Sequence, residues 1–97
     1  MEDKQTETFK ITQVTHPSVI LRYEMEERGI SDDTMRIMTG KSKSFLRKFF
    51  KGHESIDLLM AEQLKEHLKI PAKFWLRLQE NWDNADESNR EPVDDYM

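Results

Sequence analysis

The residues of this sequence best suited to chemistry are five basic side chains between positions 41 and 51, with no acid among them. They are Lys41, Lys43, Arg47, Lys48 and Lys51. Leu46, Phe49 and Phe50 recur between them at helical spacing, so an amphipathic helix would bury the apolar residues and expose most of the basic ones. Such a helix suits contact with nucleic-acid phosphates and base edges. The same pattern also fits a solvated basic surface that binds nothing.

A second helical pattern precedes this one, and a glycine separates the two. Ser31 can cap its first turn, and Met35 and Met38 form an apolar pair at i, i+3. Gly40 can adopt the left-handed conformation that ends a helix, and Ser42 can cap the helix that follows. Two helices joined by a short glycine turn are typical of a helix-turn-helix, whose second helix can lie in the DNA major groove. We therefore predict DNA contacts at Lys41, Ser42, Lys43, Ser44, Arg47, Lys48 and Lys51.

Catalytic or metal-binding constellations are missing from the sequence. The three histidines have no ligand-like spacing, and His53-Glu54 lacks the second histidine of a zinc-protease helix. There is no cysteine for thiolate chemistry or disulfides. We expect no enzyme activity and no cofactor. No apolar run approaches a membrane span and the first residues are polar, so a cytoplasmic protein without membrane contact is expected.

Charge divides the chain of 97 residues into a body and a tail. Residues 83–97 hold six acids and one arginine, a net charge of −5, whereas the whole chain carries −4. The remaining residues therefore sum to +1, and the acidic character belongs to the tail. We predict a flexible or extended segment over 1–14, one helix-turn-helix domain over 15–83 and an acidic disordered tail over 84–97.

Helical patterns on both sides of the central pair complete a compact all-α fold of five helices. One starts at Pro17 and runs to Arg28, another covers about residues 56–68, and the last starts at Pro71. The last helix has more aromatic surface than a small core needs, which favours packing against a second copy. The predicted dimer residues are Phe74, Trp75, Leu78 and Trp82. The alternative is that both tryptophans close the core of a monomer.

Three stretches resemble HigA-type antitoxins, a branch of the Xre/Cro-like helix-turn-helix family. Residues 16–24 (HPSVILRYE) look like the family's opening HPG-x-I-L-R-E-E, and residues 29–52 match the length of its helix-turn-helix. Residues 72–83 (AKFWLRLQENWD) resemble its closing A-x-F-W-L-x-L-Q-x-x-Y-D, the most specific of the three. The resemblance implies an Xre/Cro-like (lambda-repressor-like) fold. It also implies a homodimer that represses its own operon by binding operator DNA.

The same resemblance implies a protein partner. HigA-like proteins neutralise a co-encoded HigB-type toxin, a small basic ribonuclease that cleaves mRNA on the ribosome. Acidic residues of this chain would favour association with a basic toxin. Two readings compete with the antitoxin. One is a stand-alone, phage-like repressor of the Xre family without a toxin, and the other is a protein-binding module whose helix-turn-helix no longer binds DNA.

The sequence departs from the family pattern within the helix pair. Arg36 stands where the family usually has a small alanine between the helices, and Lys41 stands where it has an apolar residue in the turn. Ser18 and Val19 replace a glycine and an acid near the start. The stem of Arg36 could lie along the core with its charge in solvent, and Lys41 could add a phosphate contact.

Overall fold

Five α-helices and one short 3-10 helix form the regular structure of residues 13–93, the part of the chain that the computed structural model describes. The helices are α1 (Pro17–Arg28), α2 (Asp32–Thr39), α3 (Lys43–Phe49), α4 (Leu58–Leu68) and α5 (Ala72–Asn84), and the 3-10 helix spans Glu87–Asn89. Within this range no β-strand forms, although a backbone bridge joins Val14 to Arg90. The predictions of an all-α fold and of five helices are confirmed.

Serine and aspartate side chains cap the first turns of three of the helices. Ser31 and Ser42 cap α2 and α3, each accepting from the backbone N–H three residues later, at 3.1 Å and 3.0 Å. Asp57 caps α4 in the same way at 2.8 Å, so this helix begins at Leu58, two residues after its predicted start. Each cap satisfies an N–H that the first turn of a helix leaves without a partner.

Gly40 makes the turn between α2 and α3. Its φ of 73° lies in the left-handed region, and its N–H donates to the Arg36 carbonyl at 2.8 Å. Thr39 supports the turn, because its hydroxyl donates to the Met35 carbonyl at 2.8 Å and accepts from the Lys41 N–H at 3.2 Å. The direction in which the chain enters α3 is therefore held by both backbone and side chain.

The core lies where α4 packs against α2 and α5, and α1 packs against α5. The buried apolar side chains are Leu21, Met25, Met35, Leu46, Phe49, Phe50, Ile56, Met60, Ala61, Leu64, Leu68 and Trp75. Because α3 has only seven residues, it would be a marginal helix in isolation. Its place is set by the apolar residues that it contributes to this core.

The region after α5 differs from the predicted disordered tail. After the 3-10 helix the chain pairs with the segment before α1. The Val14 N–H donates to the Asn89 carbonyl at 2.8 Å, and the Glu91 N–H donates to the Val14 carbonyl at 2.9 Å. These hydrogen bonds join residues that are far apart in the sequence. They do not depend on apolar periodicity, so the periodicity of the sequence could not predict them. Residues 1–12 and 94–97, the rest of the two predicted flexible ends, lie outside the described residues.

Candidate nucleic-acid interface

Helix α3 has one apolar face and one charged face. Leu46 and Phe49 are 3% and 0% exposed, and Phe50, directly after the helix, is also buried. The opposite face and its flanks are exposed and carry Ser42, Lys43, Ser44, Arg47, Lys48 and Lys51. Six of the seven residues that the sequence assigned to DNA contact are thus brought together on one surface. We call these six residues the α3 surface.

Three cations of the α3 surface make no ion pair within residues 13–93. No carboxylate of that range lies within 4.0 Å of the side-chain nitrogens of Lys43, Arg47 or Lys48. Their side chains are exposed, so they are held neither by packing nor by a neighbouring acid. Clustered cations without local compensation create a positive potential that attracts polyanions.

Lys41, the seventh predicted contact residue, has a different environment. Its Nζ lies 3.1 Å from Asp57 Oδ2 and 4.8 Å from the centre of the Phe45 ring, and its side chain is only 20% exposed. The hydrogen bond from the Met60 N–H holds the pKa of Asp57 below its usual value, and the nearby Lys41 ammonium acts in the same direction. Lys41 therefore ties the turn before α3 to the cap of α4, with its charge already partly balanced.

Arg36 does not enter the space between α2 and α3. Its side chain is 43% exposed, and Nη1 lies 3.4 Å from Asp33 Oδ1 of the same helix. The turn between α2 and α3 therefore forms while the Arg36 side chain points into solvent. The larger residue at this position therefore leaves the packing of the helix pair in place.

Aromatic rings beneath α3 fix its position. Phe45 stacks on Phe49 with ring centres 6.1 Å apart, and the His16 ring lies 5.3 Å from Phe49. The Arg22 guanidinium carbon lies 4.0 Å above the centre of the Phe50 ring. Sequence reasoning included Phe49 and Phe50 but missed Phe45, although three phenylalanines within six residues of a basic stretch were a visible signal.

The predicted dimer residues fall into two groups. Trp75 is 0% exposed in the single chain, so it offers no surface to a second copy, and its assignment to an interface is corrected. It is buried because the helical stripe of α5 turns this ring into the core, and α5 itself packs against α4 and α1. Phe74 is 41% exposed, and Leu78 and Trp82 are half-buried. These three keep apolar surface that a partner could cover.

Trp82 is already engaged within the chain. Its ring meets His16 edge-on at 4.9 Å, and the Arg90 guanidinium carbon lies 4.8 Å from the ring centre. The Arg90 Nε also donates to the Trp82 carbonyl at 3.0 Å. Of the two tryptophans, one therefore closes the core and the other joins α5 to both ends of the described chain.

No group of three His, Cys, Asp or Glu side chains within residues 13–93 is arranged to hold a metal ion. The described helices include none that is both long and apolar enough to cross a membrane. Neither a scan against protein-family models nor a search of curated proteins gives a match for this chain. What the α3 surface can bind is therefore inferred from its own charges and from the buried residues that hold α3 in place.

Proposed function

We propose that this protein is a helix-turn-helix DNA-binding protein, with α2 and α3 as the motif and α3 as the helix that enters the major groove. The observation that carries this proposal is the α3 surface, where the exposed Lys43, Arg47 and Lys48 have no carboxylate of residues 13–93 within ion-pair distance. They stand on a helix anchored by buried Leu46 and Phe49. A rigid basic helix of this kind suits contact with phosphates and base edges together.

Position along α3 divides the work of its side chains. Lys43, Ser44 and Arg47 belong to the first turns of the helix, the end that meets base edges in helix-turn-helix proteins. Lys48 and Lys51 lie at the other end and its flank, where phosphate contact is the natural role of a lysine. Lys41 contributes by holding the turn, since Asp57 already occupies its ammonium group.

A binding titration on two duplexes tests the DNA-binding function. One carries the promoter upstream of the gene, and the other carries the same bases in scrambled order. Specific binding predicts an affinity for the promoter roughly 10³-fold or more above that for the scrambled duplex at physiological salt. Equal affinity for both duplexes would contradict sequence recognition. Absence of binding to either duplex at low salt would remove the DNA-binding function.

We also propose that the chain is a HigA-type antitoxin, with a HigB-type toxin as its partner and a dimer that represses its own operon. Support comes from the residues that carry the resemblance to the family, because they contact one another or the segments around α3. His16 is buried against Phe49 and Trp82, and Gln79 accepts from the Ile56 N–H at 2.9 Å. The residues that carry the resemblance therefore build the scaffold that holds α3.

Co-expression tests the antitoxin function separately. If a short reading frame lies next to the gene, its product should arrest growth alone, and this chain should relieve the arrest and co-purify with it. A variant lacking Arg47 and Lys48 should still relieve the arrest if neutralisation does not depend on DNA. Failure of the wild type both to rescue growth and to co-purify would leave a stand-alone repressor as the better reading.

A further inference from the structure

Lys41 stands at the start of the α3 surface, but its charge is held by another part of the fold. It directly precedes Ser42, the cap of α3, and its backbone N–H donates to the Thr39 hydroxyl at 3.2 Å. Its Nζ lies 3.1 Å from Asp57 Oδ2, and its side chain is only 20% exposed. A cation that adjoins the proposed DNA contacts is therefore already paired within the chain.

The two oxygens of the Asp57 carboxylate have separate roles. Oδ1 accepts from the Met60 N–H at 2.8 Å and caps α4, whereas Oδ2 accepts from the Lys41 ammonium. The cap needs an acceptor but no charge, because asparagine and serine cap helices about as well as aspartate does. The ion pair with Lys41 does need the charge. The carboxylate at position 57 therefore supplies more than the cap requires.

The Phe45 ring closes the other side of the Lys41 ammonium. Nζ lies 4.8 Å from the centre of this ring, and the ring itself stacks on buried Phe49. Ring and carboxylate thus hold the ammonium between α3 and the first turn of α4. Because the Lys41–Asp57 pair as a whole carries no net charge, it neutralises no phosphate while it stays closed.

We propose that Asp57 competes with DNA phosphates for Lys41, and that this competition limits the affinity of the α3 surface for duplexes of any sequence. The inference rests on the proposed DNA-binding function and describes how the same surface is restrained. Each phosphate that a lysine neutralises adds about 0.9 to the slope of log affinity against log salt. The wild type lacks this contribution from Lys41, and removing the charge of Asp57 restores it.

Replacing Asp57 by asparagine tests the competition, because the amide keeps an acceptor for the Met60 N–H and loses the charge. D57N should bind the promoter and the scrambled duplex roughly two- to ten-fold more tightly than the wild type at low salt, with a salt slope steeper by roughly one. D57S should behave alike, since serine also caps. The matched control is E62Q, which removes an exposed acid of α4 that makes no ion pair within residues 13–93. It should gain less affinity and keep the wild-type salt slope.

The K41M background shows whether the gain passes through Lys41. Methionine keeps an unbranched apolar side chain beside Phe45 but carries no charge. Between K41M and K41M/D57N the gain should fall to that of E62Q, and the salt slope should not change. An equal gain from D57N with and without Lys41 would overturn the proposal. So would a gain from E62Q as large as that from D57N, or no gain from D57N.

A measurement without DNA separates this inference from the proposed function. An aromatic ring shifts the NMR resonances of protons above its face, so the methylene group next to Lys41 Nζ reports whether the ammonium lies over Phe45. Its resonance should move toward that of a solvated lysine in D57N and stay in place in E62Q. If it moved but neither wild type nor D57N bound either duplex at low salt, the DNA-binding function would fail, and the competition with it. Binding by the wild type with an unmoved Lys41 resonance in D57N would overturn this inference alone.

Discussion

His16 joins three parts of the molecule through one imidazole ring. Its Nδ1 accepts from the Ser18 N–H at 3.0 Å and so caps α1. Its Nε2 lies 3.0 Å from the Glu54 carbonyl, to which it must donate because Nδ1 is occupied as an acceptor. The contacts therefore require one neutral tautomer, and burial lowers the pKa of His16 below its ordinary value, acting in the same direction.

Acidification should destabilise the fold through this histidine. The unfolded chain binds the proton near the ordinary histidine pKa of about 6.5, whereas the folded chain binds it only at lower pH. The free energy of unfolding is therefore fully retained above that pH and declines below it, by at most about 1.4 kcal/mol per pH unit from this residue. Urea unfolding at a series of pH values between about 7 and 5 measures the slope.

The control for the pH effect is H16N, because asparagine can still cap α1 but does not titrate. It should be less stable at neutral pH and should show a shallower decline on acidification than the wild type. The H67Q variant removes an exposed histidine from α4 and should keep the wild-type slope. A decline in H16N as steep as in the wild type would exclude His16 as its source.

Replacing Arg47 or Lys48 by alanine should impair DNA binding in two different ways. R47A should cost about 1–3 kcal/mol on the promoter duplex and relax preference at one base position, because arginine recognises a base edge through two bonds. K48A should weaken binding to promoter and scrambled duplex alike and reduce the salt slope by roughly one. Titrations of both duplexes at several salt concentrations distinguish the two patterns.

K65A is the matched control for these two variants. Lys65 is an exposed lysine two turns into α4, away from the α3 surface, so its loss should change neither affinity nor salt slope. Identical behaviour of R47A, K48A and K65A would mean that α3 is a solvated face.

At the scale of elements, α3 depends on its cap more than a longer helix would. S42A should lower the free energy of unfolding by about 1 kcal/mol, because the Phe45 N–H loses the hydroxyl that accepts it. The same variant should weaken DNA binding, since the first turn carries Lys43 and Ser44. Chemical unfolding and duplex titration of the same preparation measure the two effects together.

S44A and S42N are the two controls for the prediction about the Ser42 cap. Ser44 is exposed within the helix and caps nothing, so S44A should leave stability within about 0.5 kcal/mol of the wild type. Asparagine is a good capping residue, so S42N should recover most of the lost stability. A wild-type unfolding midpoint for S42A would show that packing alone holds the first turn.

Helix α5 is tied to the loop before α4 by one buried glutamine. Gln79 is 6% exposed, its Oε1 accepts from the Ile56 N–H at 2.9 Å, and its Nε2 donates to Asp83 at 2.9 Å. A buried backbone N–H without a partner is costly, which explains a polar side chain within an apolar stripe. The sequence pattern identified this residue only through the resemblance, because periodicity favours apolar residues at such a position.

At the scale of the whole molecule, dimerisation stays a prediction with a smaller surface than the sequence indicated. With Trp75 inside the monomer, the remaining apolar surface of α5 is that of Phe74, Leu78 and part of Trp82. We expect the wild type to sediment as a dimer at about tens of micromolar. A two-fold dimer would bind half-sites roughly 34–36 Å apart.

F74E should convert such a dimer to a folded monomer, because it places a charge on an exposed side chain without opening the core. L59E places the same charge on α4, at a side chain that is 63% exposed, and should leave the dimer intact. Circular dichroism should remain that of the wild type in both variants. Sedimentation of the wild type as a monomer throughout this concentration range would contradict the dimer.

Local patterns were enough to predict the helices and the charged face. Spacing of apolar residues, serine caps and the glycine at position 40 are properties of a few neighbouring residues, and they mark where a helix begins, where it ends and which face is apolar. The outward position of Lys43, Arg47 and Lys48 followed from the inward position of Leu46 and Phe49. These parts of the candidate site could be predicted because one helix contains them all.

Only the tertiary structure decided which charged and aromatic side chains already have a partner within the chain. The Lys41–Asp57 pair, the burial of Trp75 and the approach of the Val93 side chain to Gly52 each depend on segments that are distant in the sequence. A periodic pattern states that a side chain turns inward, but it does not state whether its own chain or a second copy covers it. Likewise, the charge of a lysine is visible in the sequence, whereas its compensation depends on which carboxylate the fold brings within reach.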